Sequence, residues 1–314
     1  MTRAKPAWRP PMRDGVGASR VAVGDGRFAS LQDFLVARFP KVHDWPRRLA
    51  RGEVIDAQGR PADGAAPCSP GMAFWYWREP PRETPVPFDI DILFQDERLI
   101  VVDKPHFLAS VPGGRHLMET ALVRLKQRLG LDGLVPMHRL DRETAGVLVF
   151  IVQPATRHAY HCVLRDRLAY KVYEAVAPWR PELALPLVCR SRLEEPAGRD
   201  FMQMQVVPGE PNAETLVELI APVAAGSPPA PLAHYRLTPR TGRKHQLRAQ
   251  MNALGLPIAG DRIYPALWPE PPPEAEPDYS QPLQLLAREF AFTDPIGGEA
   301  RRFVSRRRLA LAAA

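Results

Sequence analysis

Four prolines fall within eight residues, at Pro80, Pro81, Pro85 and Pro87. Proline fixes φ and lacks an amide hydrogen, so neither a helix nor an inner strand runs through such a cluster. The 314-residue chain is thereby divided into a short N-terminal part and a longer C-terminal part, a length that suits a catalytic core with an accessory module. The expected organisation is a disordered basic arm over 1–20, a compact module over 21–80, a linker over 81–89, a main domain over 90–303 and a basic tail over 304–314.

Apolar residues make up 45% of the chain and charged residues 25%, which excludes a fibrous repeat or wholesale disorder. No apolar run approaches the roughly 20 residues of a membrane span, and the N-terminus lacks the apolar stretch of a secretory signal, so a cytoplasmic monomer with no membrane attachment is expected. Cys68, Cys162 and Cys189 are far apart and show no C-x-x-C spacing, which predicts reduced thiols rather than a disulfide framework or a zinc clip. The net charge is +7. Most of it sits at the ends: residues 1–20 net +4 and residues 301–314 net +5, leaving the rest slightly negative. A folded nucleic-acid site must therefore come from a local stripe.

In the first part, Ala29–Arg38 and the segment from Trp45-Pro46 carry helical apolar spacing, and Gly52 stops the second helix. With Arg48-Leu49-Ala50-Arg51-Gly52-Glu53-Val54 and the turn Gln58–Pro61, the order resembles the S4 RNA-binding module, two helices and a short hairpin. Its basic face would be Arg47, Arg48 and Arg51. Beyond the prolines, strand and helix signals alternate. Strands are predicted over Leu99–Val102, Gly146–Val152, Tyr170–Ala177, Thr215–Ile220 and His234–Thr238, with helices over Thr120–Leu129 and Thr156–Arg167. The fold class is α/β, in a mixed α+β arrangement. Pro222–Pro231 and Trp268–Pro277 are expected to be exposed loop insertions.

The polar segment His138–Thr144 precedes an apolar strand, so it lies on a loop at a sheet edge, where catalytic groups tend to be mounted. By spacing alone it also fits a turn capped by Asp141 with Arg139 solvated. His138-Arg139-Leu140-Asp141 followed by Thr144-Ala145-Gly146 resembles the signature of the RluA family of pseudouridine synthases. Further segments match in order: Asp96–Pro105, then Lys171, Tyr173 and Ala175, then Pro239–Arg248, Leu254–Asp261 and Tyr264. The resemblance spans about Ile90–Phe303. One departure is Gln250, where many members have a second histidine.

The resemblance implies a long, mostly antiparallel sheet with a central RNA cleft, and isomerisation of uridine in RNA with Asp141 as the catalytic carboxylate. That reaction breaks the N1–C1′ bond, turns the uracil and joins C5 to C1′ without redox change or net hydrolysis, so neither metal nor organic cofactor is demanded. Attack of Asp141 at C1′, attack at C6 and abstraction of a sugar proton all stay open. The resemblance pairs Arg248 with Asp141, and the helical spacing over Arg243–Leu254 puts Arg248 at the border of an apolar face. Tyr173 is expected to stack on uracil, and Arg139 to fill the space that the flipped base leaves. His138, Lys171, Arg243, Lys244 and His245 complete the expected RNA contacts. The partner is then RNA, with ribosomal RNA favoured and transfer RNA possible. A binding or ribosome-assembly factor that has lost turnover is opposed by intact Asp141, Tyr173 and Arg248. A nucleoside hydrolase lacks a clear second catalytic carboxylate. His158, His161 and Cys162 crowd one helix without completing a metal site.

Overall fold

A computed structural model describes residues 10–40, 42–78, 83–114, 116–196, 203–223, 231–269, 272 and 275–312. The chain divides into two compact units. One comprises the residues up to Glu83 with Pro112–Met118 and Lys126–Asp132; the other comprises Thr84–Val111, Glu119–Leu125 and the chain from Gly133 onward.

The first unit runs β1 (Ser19–Ala22), α1 (Leu31–Arg38), α2 (Trp45–Ala50), β2 (Val54–Ile55) and β3 (Ala73–Tyr76). Ser30 caps α1, its hydroxyl accepting from the Asp33 amide. Pro46 sits in the first turn of α2, where its missing amide hydrogen costs nothing. The strands pair antiparallel in the order β1-β3-β2, and Leu31, Phe34, Leu35, Trp45 and Phe74 fill the core against them. Arg48 is buried. It donates to Trp77 O and pairs with Glu53 at 3.5 Å, so only Arg47 and Arg51 remain of the expected basic face.

The expected free arm is corrected over its described residues. Trp77 Nε1 donates to Pro11 O at 3.1 Å and Arg13 lies 3.8 Å over the Trp77 ring, while Ser19 and Arg20 belong to β1. A large ring with one donor supplies both a stacking face and a hydrogen bond that composition alone does not reveal. Residues 1–9 lie outside the described residues.

The second unit carries β4 (Asp91–Gln95) and β5 (Leu99–Lys104); helix α3 (Ala121–Leu129) follows in the chain. Then come β6 (Val135–Pro136), β7 (Ala145–Ile151), α4 (Arg157–Arg165), β8 (Tyr170–Pro178), β9 (Leu187–Glu194) and β10 (Gln205–Val207). The chain continues with β11 (Ala213–Pro222), β12 (Leu232–Pro239), α5 (Gln246–Ala253), β13 (Leu285–Thr293) and β14 (Ala300–Val304). Among the described residues these strands form one sheet in the order β10-β9-β11-β12-β8-β13-β7-β5-β4, with β14 on β13 and β6 on β7. All its pairings are antiparallel except β13 with β7. The mixed class and the mostly antiparallel sheet agree with expectation.

Strand β13 was not foreseen, although it lies between β8 and β7. Its pairing with β8 shifts register between Ala287 and Glu289, and this bulge places two charged residues in succession and breaks the period-2 pattern. Arg288 at the bulge forms a two-pronged ion pair with Glu174, 2.8 Å on each side.

The basic tail packs onto the protein over its described residues. Asp103 is buried and accepts from Ser305 Oγ at 2.8 Å and the Arg306 amide at 2.7 Å. Arg307 donates to Asp103 O and Asp91, and Leu309 is buried. A buried carboxylate demands donors, and the tail supplies them. No helix among the described residues is long and apolar enough to cross a membrane.

Candidate active site

Asp141 stands on the loop between β6 and β7, its side chain about a third exposed at 31%. The loop is held from beneath. Ser110 Oγ donates to Leu140 O at 2.7 Å and accepts from the Leu140 amide at 3.0 Å, so one hydroxyl clamps both backbone groups of the residue before Asp141. Lys104, at the end of β5, is fully buried, and its ammonium donates to Pro105 O, Leu108 O and, at 3.1 Å, Arg142 O. Burial drives its pKa down to about 7, against the opposing pull of Glu143 and Asp141. His106 donates through Nδ1 to Glu143 O at 2.7 Å.

The loop then enters β7 at Gly146, with φ +111°. A Cβ there would stand 2.2 Å from Ala287 O. Only glycine lets β7 approach β13 this closely.

Helix α5 brings Arg248 to the carboxylate. Its register is set by buried glutamines on another face. Gln250 accepts from Thr215 Oγ1 at 2.6 Å and donates to Ser191 Oγ at 2.9 Å. Gln246 donates to Thr215 Oγ1 at 3.0 Å and accepts from Thr241 Oγ1 at 2.8 Å. Gln250, the departure from the family pattern, is thus a packed and satisfied core residue.

Arg248 is 2% exposed, more deeply buried than the helical spacing predicts. Its Nη1 donates to Asp141 Oδ2 at 3.3 Å. The rest of the fork belongs to Asp261, with Nε to Oδ2 at 2.7 Å and Nη2 to Oδ1 at 2.6 Å. Burial opposes the guanidinium charge, but the hydrogen bonds and charge of Asp261, then the charge and hydrogen bond of Asp141, outweigh it and hold the pKa above its ordinary value. Asp261 was present in the sequence motif without a role. No local pattern signals it, because it reaches Arg248 from 13 residues further along the chain. Ser110 and Lys104 were missed for the same reason.

Tyr173 projects from β8 toward the core cluster that holds Ala175, Ala177, Leu247 and Met251, as strand alternation predicts. Burial, reinforced by the nearby Asp141 charge, raises its phenol pKa and keeps it protonated.

The expected RNA contacts separate. Arg139 and Arg243 are exposed, Arg243 donating to Asn212 O at 3.2 Å. Lys171 is partly buried, its Nζ 3.4 Å from Thr241 O. Lys244 is ion-paired with Glu195. His138, expected as an RNA contact, packs against the protein: its ring stacks on Phe290 at 4.6 Å, and its Nε2 accepts from the Val149 amide at 3.2 Å. Burial, with a further push from Lys171, lowers its pKa to about 3 and keeps it neutral. His245 stands beside the site, Nε2 4.0 Å from Asp141 Oδ2. On α4, His161 contacts Pro136 O while Cys162 and His158 contact each other. No group of three metal-binding side chains occurs among the described residues.

A model of the RNA pseudouridylate synthase family matches residues 98–253, which contain Asp141, Tyr173 and Arg248. The dual-specificity RNA pseudouridine synthase RluA of Haemophilus influenzae is 35% identical over 228 residues, covering 68% of this chain and 91% of that protein. The chain belongs to the RluA family of pseudouridine synthases. As a pseudouridine synthase it is an RNA-uridine isomerase, and its partner is RNA. Two solved structures share the fold. Human RNA pseudouridylate synthase domain containing 1 superposes with a TM-score of 0.56 at 20% identity, covering 72% of this chain and 86% of its own. Human RNA pseudouridylate synthase domain containing 4 gives 0.50 at 25% identity, covering 70% and 88%.

Proposed function

We propose that this pseudouridine synthase isomerises uridine with Asp141 as the catalytic carboxylate, Arg248 as its orienting cation and Tyr173 as the stacking partner of the base. The observation that carries this assignment is the disposition of Arg248. Its fork is anchored by Asp261, and the remaining Nη1 faces an accessible Asp141 carboxylate at 3.3 Å. A carboxylate so oriented serves the reacting sugar without a metal.

Arg139 is exposed two residues before Asp141, and its role is to occupy the space vacated by the base. Lys171 and Arg243 contact phosphates. The order of two helices and short strands over residues 19–76 supports an S4-like accessory module, joined near the proline cluster to the catalytic domain. The substrate is ribosomal RNA first and transfer RNA second; the Haemophilus influenzae relative is named as dual-specificity.

Release of tritium from RNA labelled at uridine C5 tests the catalytic assignment. Asp141→Asn removes charge with little change in shape, so release stops while RNA affinity and fold persist; release at the unmodified rate removes Asp141 from the chemistry. Mapping pseudouridines in total RNA from cells with and without the gene identifies the substrate. A lost site confined to some other RNA class overturns the ribosomal and transfer RNA assignment.

A further inference from the structure

Building on the isomerase assignment above, we propose that His245 relays a proton on the substrate itself, taking it from C5 of the uracil and returning it at N1. The chemistry requires such a group. Once C5 has joined C1′, C5 is tetrahedral and still holds its hydrogen, while N1 is doubly bonded to C6. A base takes the C5 proton, the C5–H electron pair forms the C5=C6 bond, and the C6=N1 π pair moves to N1. N1 then accepts a proton from the imidazolium, so one proton leaves, one returns and no co-reactant is consumed.

The site leaves His245 as the suitable base among the described residues. Lys104 spends its ammonium on three carbonyls below the loop. Tyr173 is held protonated, and Arg248 is forked on Asp261. His245 Nε2 faces the Asp141 carboxylate at 4.0 Å, with the side chain 10% exposed. The ring is fixed from behind by Tyr264, edge-on at 6.0 Å with an interplanar angle of 82°, and the Tyr264 hydroxyl lies 3.5 Å from Nδ1. Two ring nitrogens, one toward the reacting carboxylate and one toward a buried hydroxyl, suit a proton relay.

The backbone supports the same assignment. His245 is the residue before α5 and has φ +50°, the left-handed region that non-glycine residues adopt uncommonly, Asn, Asp and His more readily than the rest. A strained, non-glycine residue beside a catalytic carboxylate points to a placement maintained for function. The groups facing the ring are Asp141, Arg248, Lys244, Asp261 and Tyr264, with Glu195 acting through Lys244. Burial, opposed by Asp141 and aided by Arg248 and Lys244, lowers the imidazole pKa, so the ring is a free base at neutral pH.

The test compares single-turnover rates on one modified stem–loop transcript made with ordinary or 5-deuterated UTP. Asparagine tolerates the left-handed backbone but cannot relay a proton, and glycine leaves a space for imidazole. At saturating enzyme, His245→Asn is expected to slow pseudouridine formation by about 10²- to 10⁴-fold and to show a 5-deuterium isotope effect absent from the parent enzyme. The acidic limb of the parent pH profile should vanish, and free-base imidazole should rescue His245→Gly. Equal slowing on both transcripts with no imidazole rescue assigns His245 a structural role and overturns the proposal. A parent enzyme that forms no pseudouridine overturns the isomerase assignment and this one with it.

Discussion

Arg248 and Asp261 form a two-pronged ion pair in the protein interior, with N–O distances of 2.7 and 2.6 Å. The pair makes Asp261 a positioning residue, since it orients the fork so that Nη1 meets Asp141. Asp261→Ala leaves a buried guanidinium short of its main partner, a change that costs about 3–5 kcal/mol in comparable buried pairs. The expected outcome is a lowered urea midpoint with a matching fall in single-turnover rate. Asp261→Asn, which keeps one acceptor, should fall between. Unchanged stability in both variants would show that Arg248 finds another anion.

Ser110 touches no reacting atom, yet it clamps Leu140 from both sides. Ser110→Ala leaves a buried amide and carbonyl without this partner, at a cost of about 1–3 kcal/mol. Because the loss loosens the loop rather than an RNA contact, kcat should drop while KM holds. A rise in KM at constant kcat would place Ser110 on the RNA-binding surface instead.

Gly146→Ala is expected to be among the most damaging single substitutions outside the charged site. The new methyl would meet the Ala287 carbonyl at 2.2 Å, and φ is +111°. Strain and clash together should exceed about 3 kcal/mol. Thermal melting reads this directly, and an unchanged melting temperature would mean that β7 and β13 are not in this register.

Glu174 reports on acid stability. Burial alone would raise its carboxyl, but the His234 Nε2 approach at 3.3 Å, the hydrogen bonds from Arg288 and the Arg288 charge outweigh it and hold the pKa at about 2. Its pKa is therefore lower folded than unfolded. The contribution is fully present above the ordinary carboxyl value of 4.5 and is lost as pH falls toward about 2, amounting to at most about 3 kcal/mol. Glu174→Gln should flatten the stability profile across that window, with the loss of stability greatest near pH 7 and shrinking as pH falls toward about 2. A profile identical to the parent would remove the Glu174–Arg288 pair from acid unfolding.

Local pattern made much of this protein legible. The proline cluster suggested where to divide the chain, and short apolar or alternating runs announced five strands, because backbone preference and side-chain patterning act over a few residues. The order of the motifs announced the family and made Asp141, Tyr173 and Arg248 the candidate residues. The tertiary structure decided what depends on residues distant in sequence. Asp103 and Trp77 dock segments that composition alone suggests are free. Strand β13 acquires its central place through pairing on both sides despite a bulge. Lys104, Ser110 and Asp261 gain their roles because backbone carbonyls and charges brought together in the interior, where water cannot satisfy them, must find protein partners.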